Sequence, residues 1–315
     1  MTSPPGPSPS TETPISFLTP THHRILEGDA ATMLKSLADS SIDLVLTDPP
    51  YFIDQLDGTW DHEKVLLSKK KARTIGGLPV GMKFDPEQGR CLQAFLTPIF
   101  AECLRILKPG GFLLAFSQGR LYHRTAIAAE NAGFEIRDLL GWTYEGQAKA
   151  FSQDHFVRKN PALSEADKVR IIAALGRRKT PQLKPMIEPI TLGQKPKDGT
   201  FVENWIRWRT GLIDVSFLDD GKFPGVLSNA PKPAAQERKA AGGHPTVKPV
   251  RMLEHWIRIF SIENATILDP FLGSGSTAVA AARCGRHSVG IEIDPGYTVI
   301  ARRRIAAEPG ATICP

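Results

Sequence analysis

Asp48-Pro49-Pro50-Tyr51 is the segment whose residue types speak most directly of chemistry. It follows Ile42–Thr47, an apolar run that reads as a buried parallel strand. Prolines cannot donate to a ladder, so two in succession stop the sheet. Their carbonyls and the Asp48 carboxylate are left at the strand's carboxyl end, where open α/β sheets hold their ligands. A carboxylate and a free carbonyl can together accept both hydrogens of an exocyclic amine on a flat ring, and Tyr51 supplies a face for that ring to stack on. The competing reading is a strand closed by a proline turn, with Tyr51 as ordinary core. Four residues do not separate the two.

A second motif lies far downstream. Thr266–Asp269 reads as a short strand, Pro270-Phe271-Leu272-Gly273-Ser274-Gly275-Ser276-Thr277 as a glycine-rich turn, and Ala278–Cys284 as a helix. Glycines let backbone approach a ligand closely, and a helix start offers unpaired N–H groups. His287–Asp294 is another strand ending in acid, with Glu292 placed 17 residues after Gly275. That is near the spacing at which an acid binds ribose hydroxyls in nucleotide folds. The third glycine of a dinucleotide fingerprint is absent, which argues against NAD.

The elements between these motifs must position them. Leu92–Leu107 has helical spacing, Phe112–Ser117 reads as a strand, Gly119–Asn131 as a helix and Glu135–Leu140 as another strand. Arg251–Phe260 is a further helix leading into the second motif. Alternating strands and helices predict an α/β fold with a mostly parallel sheet and helices on both faces. Residues 1–20 carry six prolines and read as a disordered tail, and residues 52–90 lack periodicity and read as a mobile loop.

The chain has 315 residues, a net charge of +6 and a pI near 9.1. The surplus is local. Residues 151–240 hold 16 Lys/Arg against 10 Asp/Glu, and the remainder balances at 23 against 23. Within that segment Arg177-Arg178-Lys179 forms a basic cluster, and Trp205-Ile206-Arg207-Trp208-Arg209 alternates aromatic and basic residues. Such residues suit phosphate contacts and base-edge readout, the alternative being a solvated basic face. Four cysteines without paired spacing suggest neither a zinc site nor a disulfide framework, and fit a cytoplasmic enzyme. No apolar run approaches membrane-spanning length.

Asp-Pro-Pro-Tyr followed much later by Asp-Pro-Phe-x-Gly-Ser-Gly resembles the beta class of amino-methylating DNA methyltransferases, which use S-adenosylmethionine. Leu26-Glu27-Gly28-Asp29-Ala30, Leu107-Lys108-Pro109-Gly110-Gly111-Phe112 and His244-Pro245-Thr246-Val247-Lys248-Pro249 resemble further family segments in the same order. The resemblance implies a Rossmann-like, S-adenosylmethionine-dependent methyltransferase fold with circularly permuted motif order and an inserted target recognition region. It implies a catalytic half over 21–144, a target recognition region over 145–243, a cofactor half over 244–308 and a tail over 309–315.

The resemblance also assigns roles. Asp48, Pro49, Pro50 and Tyr51 become the catalytic segment. Phe271, Gly273 and Gly275 shape the turn around the cofactor's methionine part, Glu292 takes its ribose hydroxyls, Asp29 its adenine amine and Asp269 its ammonium group. Thr246 and Lys248 are expected at the methionine carboxylate, and Arg177, Arg178, Lys179, Arg207 and Arg209 on double-stranded DNA. A sulfonium is already an activated donor, so no metal is required. The implied activity is transfer of a methyl group to the N6 amine of a flipped-out adenine. N4-cytosine methylation is the runner-up, since relatives of that kind more often carry Ser at position 48. A DNA-binding regulator with a vestigial cofactor fold is the non-enzyme alternative, and it predicts damage to Asp48 or the glycine turn, which are intact. A homodimer and a separate restriction endonuclease are the further partners that the resemblance implies.

Overall fold

The computed structural model describes residues 20–51, 86–146, 150–181, 183–217, 225–242 and 247–314. The proline-rich start, most of the 52–90 segment and Thr246 lie outside the described residues.

Among the described residues nine strands form one sheet: β1 (Thr21–Glu27), β2 (Ile42–Thr47), β3 (Leu107–Phe116), β4 (Glu135–Thr143), β5 (Ile187–Gln194), β6 (Leu227–Asn229), β7 (Thr266–Asp269), β8 (His287–Glu292) and β9 (Ala311–Cys314). Their order across the sheet is β6-β4-β5-β3-β2-β7-β8-β1-β9. All neighbours are parallel except at β5, which runs antiparallel to both β3 and β4. β2 is buried along its whole length, as its unbroken apolar run requires of a central strand. Its one acid is also satisfied: Asp43 accepts from Lys108 Nζ at 2.6 Å and from the Thr266 amide at 2.8 Å, tying β2 to β3 and β7.

The helices fall into three sets. α1 (Ala30–Met33) is a single turn after β1, and α2 (Pro86–Ile106) packs against α3 (Tyr122–Asn131). α2 buries Leu92, Leu96, Ile99, Phe100, Cys103 and Ile106, a stripe at three- and four-residue spacing. Each large member of that stripe contributes about 1.5–3 kcal/mol by leaving water. α4 (Asp154–Lys159), α5 (Glu165–Leu175), α6 (Phe201–Trp208) and α7 (Ala235–Ala240) are short excursions from the far half of the sheet. α8 (Val250–Phe260) packs on α9 (Ser276–Arg283), which in turn meets α10 (Pro295–Ala306).

Three expectations are corrected. First, part of the expected 145–243 region belongs to the sheet, since β5 is inserted between β3 and β4. Pro189 is compatible with this strand because it lies just before Ile190, the first residue paired with β3, where its missing N–H costs no bond of that ladder. Second, residues 309–315 are not simply a tail, because Ala311–Cys314 adds a parallel strand to β1. Four residues are too few to show a period. Third, α2 begins at Pro86 inside the expected loop, six residues before the first leucine of its apolar stripe, because its opening turn is mostly polar.

β1 alternates in burial, and His23 is its fully buried polar member, within 2.8 Å of Thr21 Oγ1 and of Ser288 Oγ. Burial, together with the charges of His287 and His22, pulls its pKa down to about 4. The unfolded chain therefore binds the extra proton first, so stability is full above the free histidine value and is lost as pH falls through 6.5 toward about 4. We expect urea unfolding to report a loss of about 2–3 kcal/mol attributable to this residue between pH ~7.5 and pH ~4.5. His23→Gln should shrink the difference between the two pH values; an unchanged difference would assign the acid sensitivity to other groups.

Candidate active site

Parallel strands β2, β7, β8 and β1 are successive neighbours, so the residues leaving their carboxyl ends share one edge of the sheet. Asp48, Phe271, Glu292 and Asp29 are all brought there by this order. Tertiary structure thus joins the two motifs that sequence separates by more than two hundred residues.

At the end of β2, Asp48 is engaged through both oxygens. Tyr51 donates its hydroxyl to Oδ1, and the Lys248 ammonium donates to Oδ2. Tyr51 is only 8% exposed, and burial followed by the Asp48 charge pushes its phenol well above the usual range, so it stays a donor. Neither the Pro49 nor the Pro50 carbonyl accepts a hydrogen bond among the described residues, which keeps both as acceptors beside Asp48.

Lys248 reaches this point from the segment that leads into α8. Its ammonium is buried, lies 5.1 Å from the Phe116 ring centroid and 5.9 Å from that of Tyr51, and has Glu188 Oε2 at 3.4 Å. Burial alone would lower its pKa, but Asp48 and Glu188 outweigh that and hold it above the lysine range. Glu188 is also raised, but by the opposite balance: burial raises it, Lys248 opposes and the Asp48 charge adds to the rise. The sequence places Lys248 at the cofactor's methionine carboxylate and gives Glu188 no role, its signal being a Glu-Pro step in a proline-punctuated stretch.

The glycine turn after β7 is held from two sides. Asp269 accepts from Thr47 Oγ1 at 2.8 Å and from the Phe271 amide at 3.1 Å, and also bonds Thr277. Burial pushes its pKa up to about 6 against those hydrogen bonds. These partners are all protein groups of the turn and of β2. Glu292 accepts from the Gly273 amide at 2.7 Å through one oxygen and from the Asp294 amide at 2.9 Å through the other. Each carboxylate oxygen has a second lone pair, so Glu292 keeps acceptor capacity for a ligand's hydroxyls. Gly273 and Gly275 both take positive φ, at 54° and 87°. The Phe271 ring lies 5.9 Å from that of Phe95 in α2, tilted by 39°. Asp29 is exposed and caps α1 by accepting from Thr32, while Gly28 donates to the Glu292 carbonyl at 2.9 Å.

The basic residues divide between the two edges of the sheet. Residues 150–181 leave and return beside the end of β4 and the start of β5, on the same edge as Asp48, and there Arg177, Arg178 and Lys179 are exposed. Arg207 and Arg209 lie at the opposite edge, because α6 is tied by Asn204 and Thr210 to the Pro109 carbonyl near the start of β3. Arg207 there pairs with Asp198 at 2.9 Å, and Arg209 lies 5.9 Å from the Trp205 ring. They are not brought together with the site. Among the described residues no group of His, Cys, Asp and Glu could hold a metal, and no helix is long and apolar enough to cross a membrane.

A family model described as DNA methylase, for N6/N4 methyltransferases, matches residues 42–303. The chain is similar to the Type II methyltransferase M.HindIII of Haemophilus influenzae, at 28% identity over 90% of this chain and 95% of that one. It is also similar to the Type II methyltransferase M2.DpnII of Streptococcus pneumoniae, at 25% identity over 90% of each chain. Among solved structures, a putative DNA modification methylase from Thermus thermophilus, complexed with S-adenosyl-L-methionine, matches with a TM-score of 0.52 at 21% identity, covering 93% of this chain and 100% of that one. The cytosine-N4-specific PvuII DNA methyltransferase matches with a TM-score of 0.59 at 18% identity, covering 91% and 88%. These two likenesses establish the Rossmann-like methyltransferase fold.

A Cβ added at Gly275 would stand 2.9 Å from Ala301 Cβ, whereas at Gly285 (φ +68°) it would meet open space. Both sites carry the backbone cost of a positive φ, about 1–2 kcal/mol, and only Gly275 adds about 1–3 kcal/mol of overpacking. Urea unfolding should therefore show Gly275→Ala to be clearly more destabilising than Gly285→Ala. Equal losses would mean that α10 yields freely at the turn.

Proposed function

This chain belongs to the DNA methylase family of N6/N4 methyltransferases, and from that premise we propose that it transfers a methyl group from S-adenosylmethionine to the N6 amine of adenine in double-stranded DNA. The observation that carries the reading is the Asp48 carboxylate, held by Tyr51 and Lys248 and followed in sequence by the Pro49 carbonyl, on the edge that also bears Glu292 and the glycine turn. An exocyclic amine is a poor nucleophile because its lone pair is delocalised into the ring. Hydrogen bonds from its two hydrogens to Asp48 and the Pro49 carbonyl favour a tetrahedral nitrogen with its lone pair free. Positive charge develops on that nitrogen as it attacks the methyl carbon, and the fixed Asp48 charge stabilises it.

The donor's fit is supported by Glu292, whose two oxygens are held by amides yet keep lone pairs for ribose hydroxyls, and by turn glycines that leave the backbone open to close approach. Asp29 is exposed beside that acid and suits the adenine amine of the same donor. When bound, the donor supplies an electrophilic methyl on sulfur. The target base must leave the stack at a cost of a few kcal/mol, which stacking on Tyr51 and phosphate contacts from Arg177, Arg178 and Lys179 would offset.

The experiment is incubation of the protein with unmethylated genomic DNA and S-adenosylmethionine, followed by nucleoside mass spectrometry. N6-methyladenine is the expected product. Asp48→Asn keeps the side-chain volume and should cost at least about a hundredfold in rate, with cofactor affinity little changed. Glu292→Ala should instead weaken cofactor binding about ten- to a hundredfold through loss of charged hydrogen bonds. N4-methylcytosine would keep the mechanism and replace the base; full activity in Asp48→Asn would remove the carboxylate from it.

A further inference from the structure

The reaction proposed above gives no task to Glu188, although this residue shares the Lys248 ammonium with Asp48. Glu188 is the second residue of β5, and β5 runs antiparallel, so its beginning rather than its end lies at the catalytic edge. The Ser117 amide donates to the neighbouring Pro189 carbonyl at 2.8 Å and anchors that beginning to the end of β3. Lys248 Nζ, with three protons and no lone pair while charged, bridges the two carboxylates from a buried position. Among the described residues Glu188 Oε2 is buried without a hydrogen-bond partner, and the ammonium lies 3.4 Å from it as an ion pair, so a small approach of the two groups would make the bond.

The cluster holds two carboxylates against one ammonium, a negative excess suited to a cation formed beside it. Three other groups face Glu188. Tyr51 after β2 and Tyr144 after β4 are phenols held uncharged by burial, and Lys232 ahead of α7 lies over the Tyr144 ring at 4.3 Å. Both oxygens of Asp48 already accept hydrogen bonds, from the Tyr51 hydroxyl and the Lys248 ammonium, whereas Glu188 Oε2 has only the ammonium nearby and burial favours the neutral form of its carboxyl.

We propose that Glu188 receives, through Lys248, the proton released by the methylated amine. The proposal rests on the amino-methyltransferase reading. As the N–C bond forms and the S–C bond breaks, the nitrogen becomes cationic and sulfur leaves as a neutral thioether. One amine proton passes to Asp48. Lys248 Nζ takes that proton from Asp48 as it hands one of its own to Glu188 Oε2. Asp48 ends as carboxylate, Lys248 as ammonium and Glu188 as neutral acid; Oε2 itself is buried, so the proton reaches water when the quarter-exposed side chain turns outward. Lys248 and Glu188 are thus positioning and relay residues for Asp48.

The test is single-turnover methyl transfer to DNA from about pH 5 to about pH 9, with S-adenosylmethionine affinity measured by calorimetry on each protein. Wild type should show an acid limb above the usual glutamate range. Glu188→Gln should lose that limb and slow transfer by about tenfold or more, as expected for a lost proton acceptor, with cofactor affinity within about twofold. Glu188→Asp should restore part of the limb, and Lys248→Met should be slow at every pH. An unchanged rate and acid limb in Glu188→Gln, or a wild-type profile in Lys248→Met, would overturn the relay. A fall in cofactor affinity that accounts for the fall in rate would assign Glu188 to structure and overturn it equally. A wild-type protein that methylates no DNA would overturn the methyltransferase reading and the relay together; active wild type with an indifferent Glu188→Gln overturns the relay alone.

Discussion

One buried ammonium holds the site together. Lys248 comes from the approach to α8, Asp48 from the end of β2 and Glu188 from the start of β5, and their charges meet between the rings of Tyr51 and Phe116. Desolvating such a group is costly, and buried ion pairs are often no more stabilising than apolar replacements. The arrangement is better understood as orientation than as stability. With both oxygens of Asp48 engaged, the carboxylate has one rotamer and one face to offer.

The same edge of the sheet carries carboxylates in contrasting settings. Asp48 is gripped by a phenol and an ammonium, Asp269 is buried and raised to about 6 while bracing the glycine turn, and Glu292 is raised by burial yet fixed by two backbone amides. Identical chemistry serves three ends because each environment weighs desolvation against hydrogen bonding differently. The strand order makes this economical, since β2, β7, β8 and β1 lie side by side and deliver their ends to one line.

Sheet polarity also sorts the basic surplus. The helical excursion over residues 150–181 emerges at the edge that carries Asp48, while α6 hangs from the start of β3 at the other. A composition count over the whole middle region merges the two, because charge carries no information about which end of a strand it follows.

Much of this protein was legible in its amino acids. The apolar run of β2, the prolines that end it, the glycine turn after β7 and the acid closing β8 are local features with local physical causes, and they determined the fold class and named the two halves of the candidate site. The helical stripe from Leu92 was readable for the same reason. What only the tertiary structure decided are relations between distant segments: that Lys248 neutralises Asp48 two hundred residues away, that Glu188 joins them, that Pro189 sits in a strand and that Ala311–Cys314 completes an edge. Periodicity reports the neighbours of a residue along the chain. Electrostatic partners and strand neighbours are set by how the sheet is ordered, and that order follows from the packing of the whole chain.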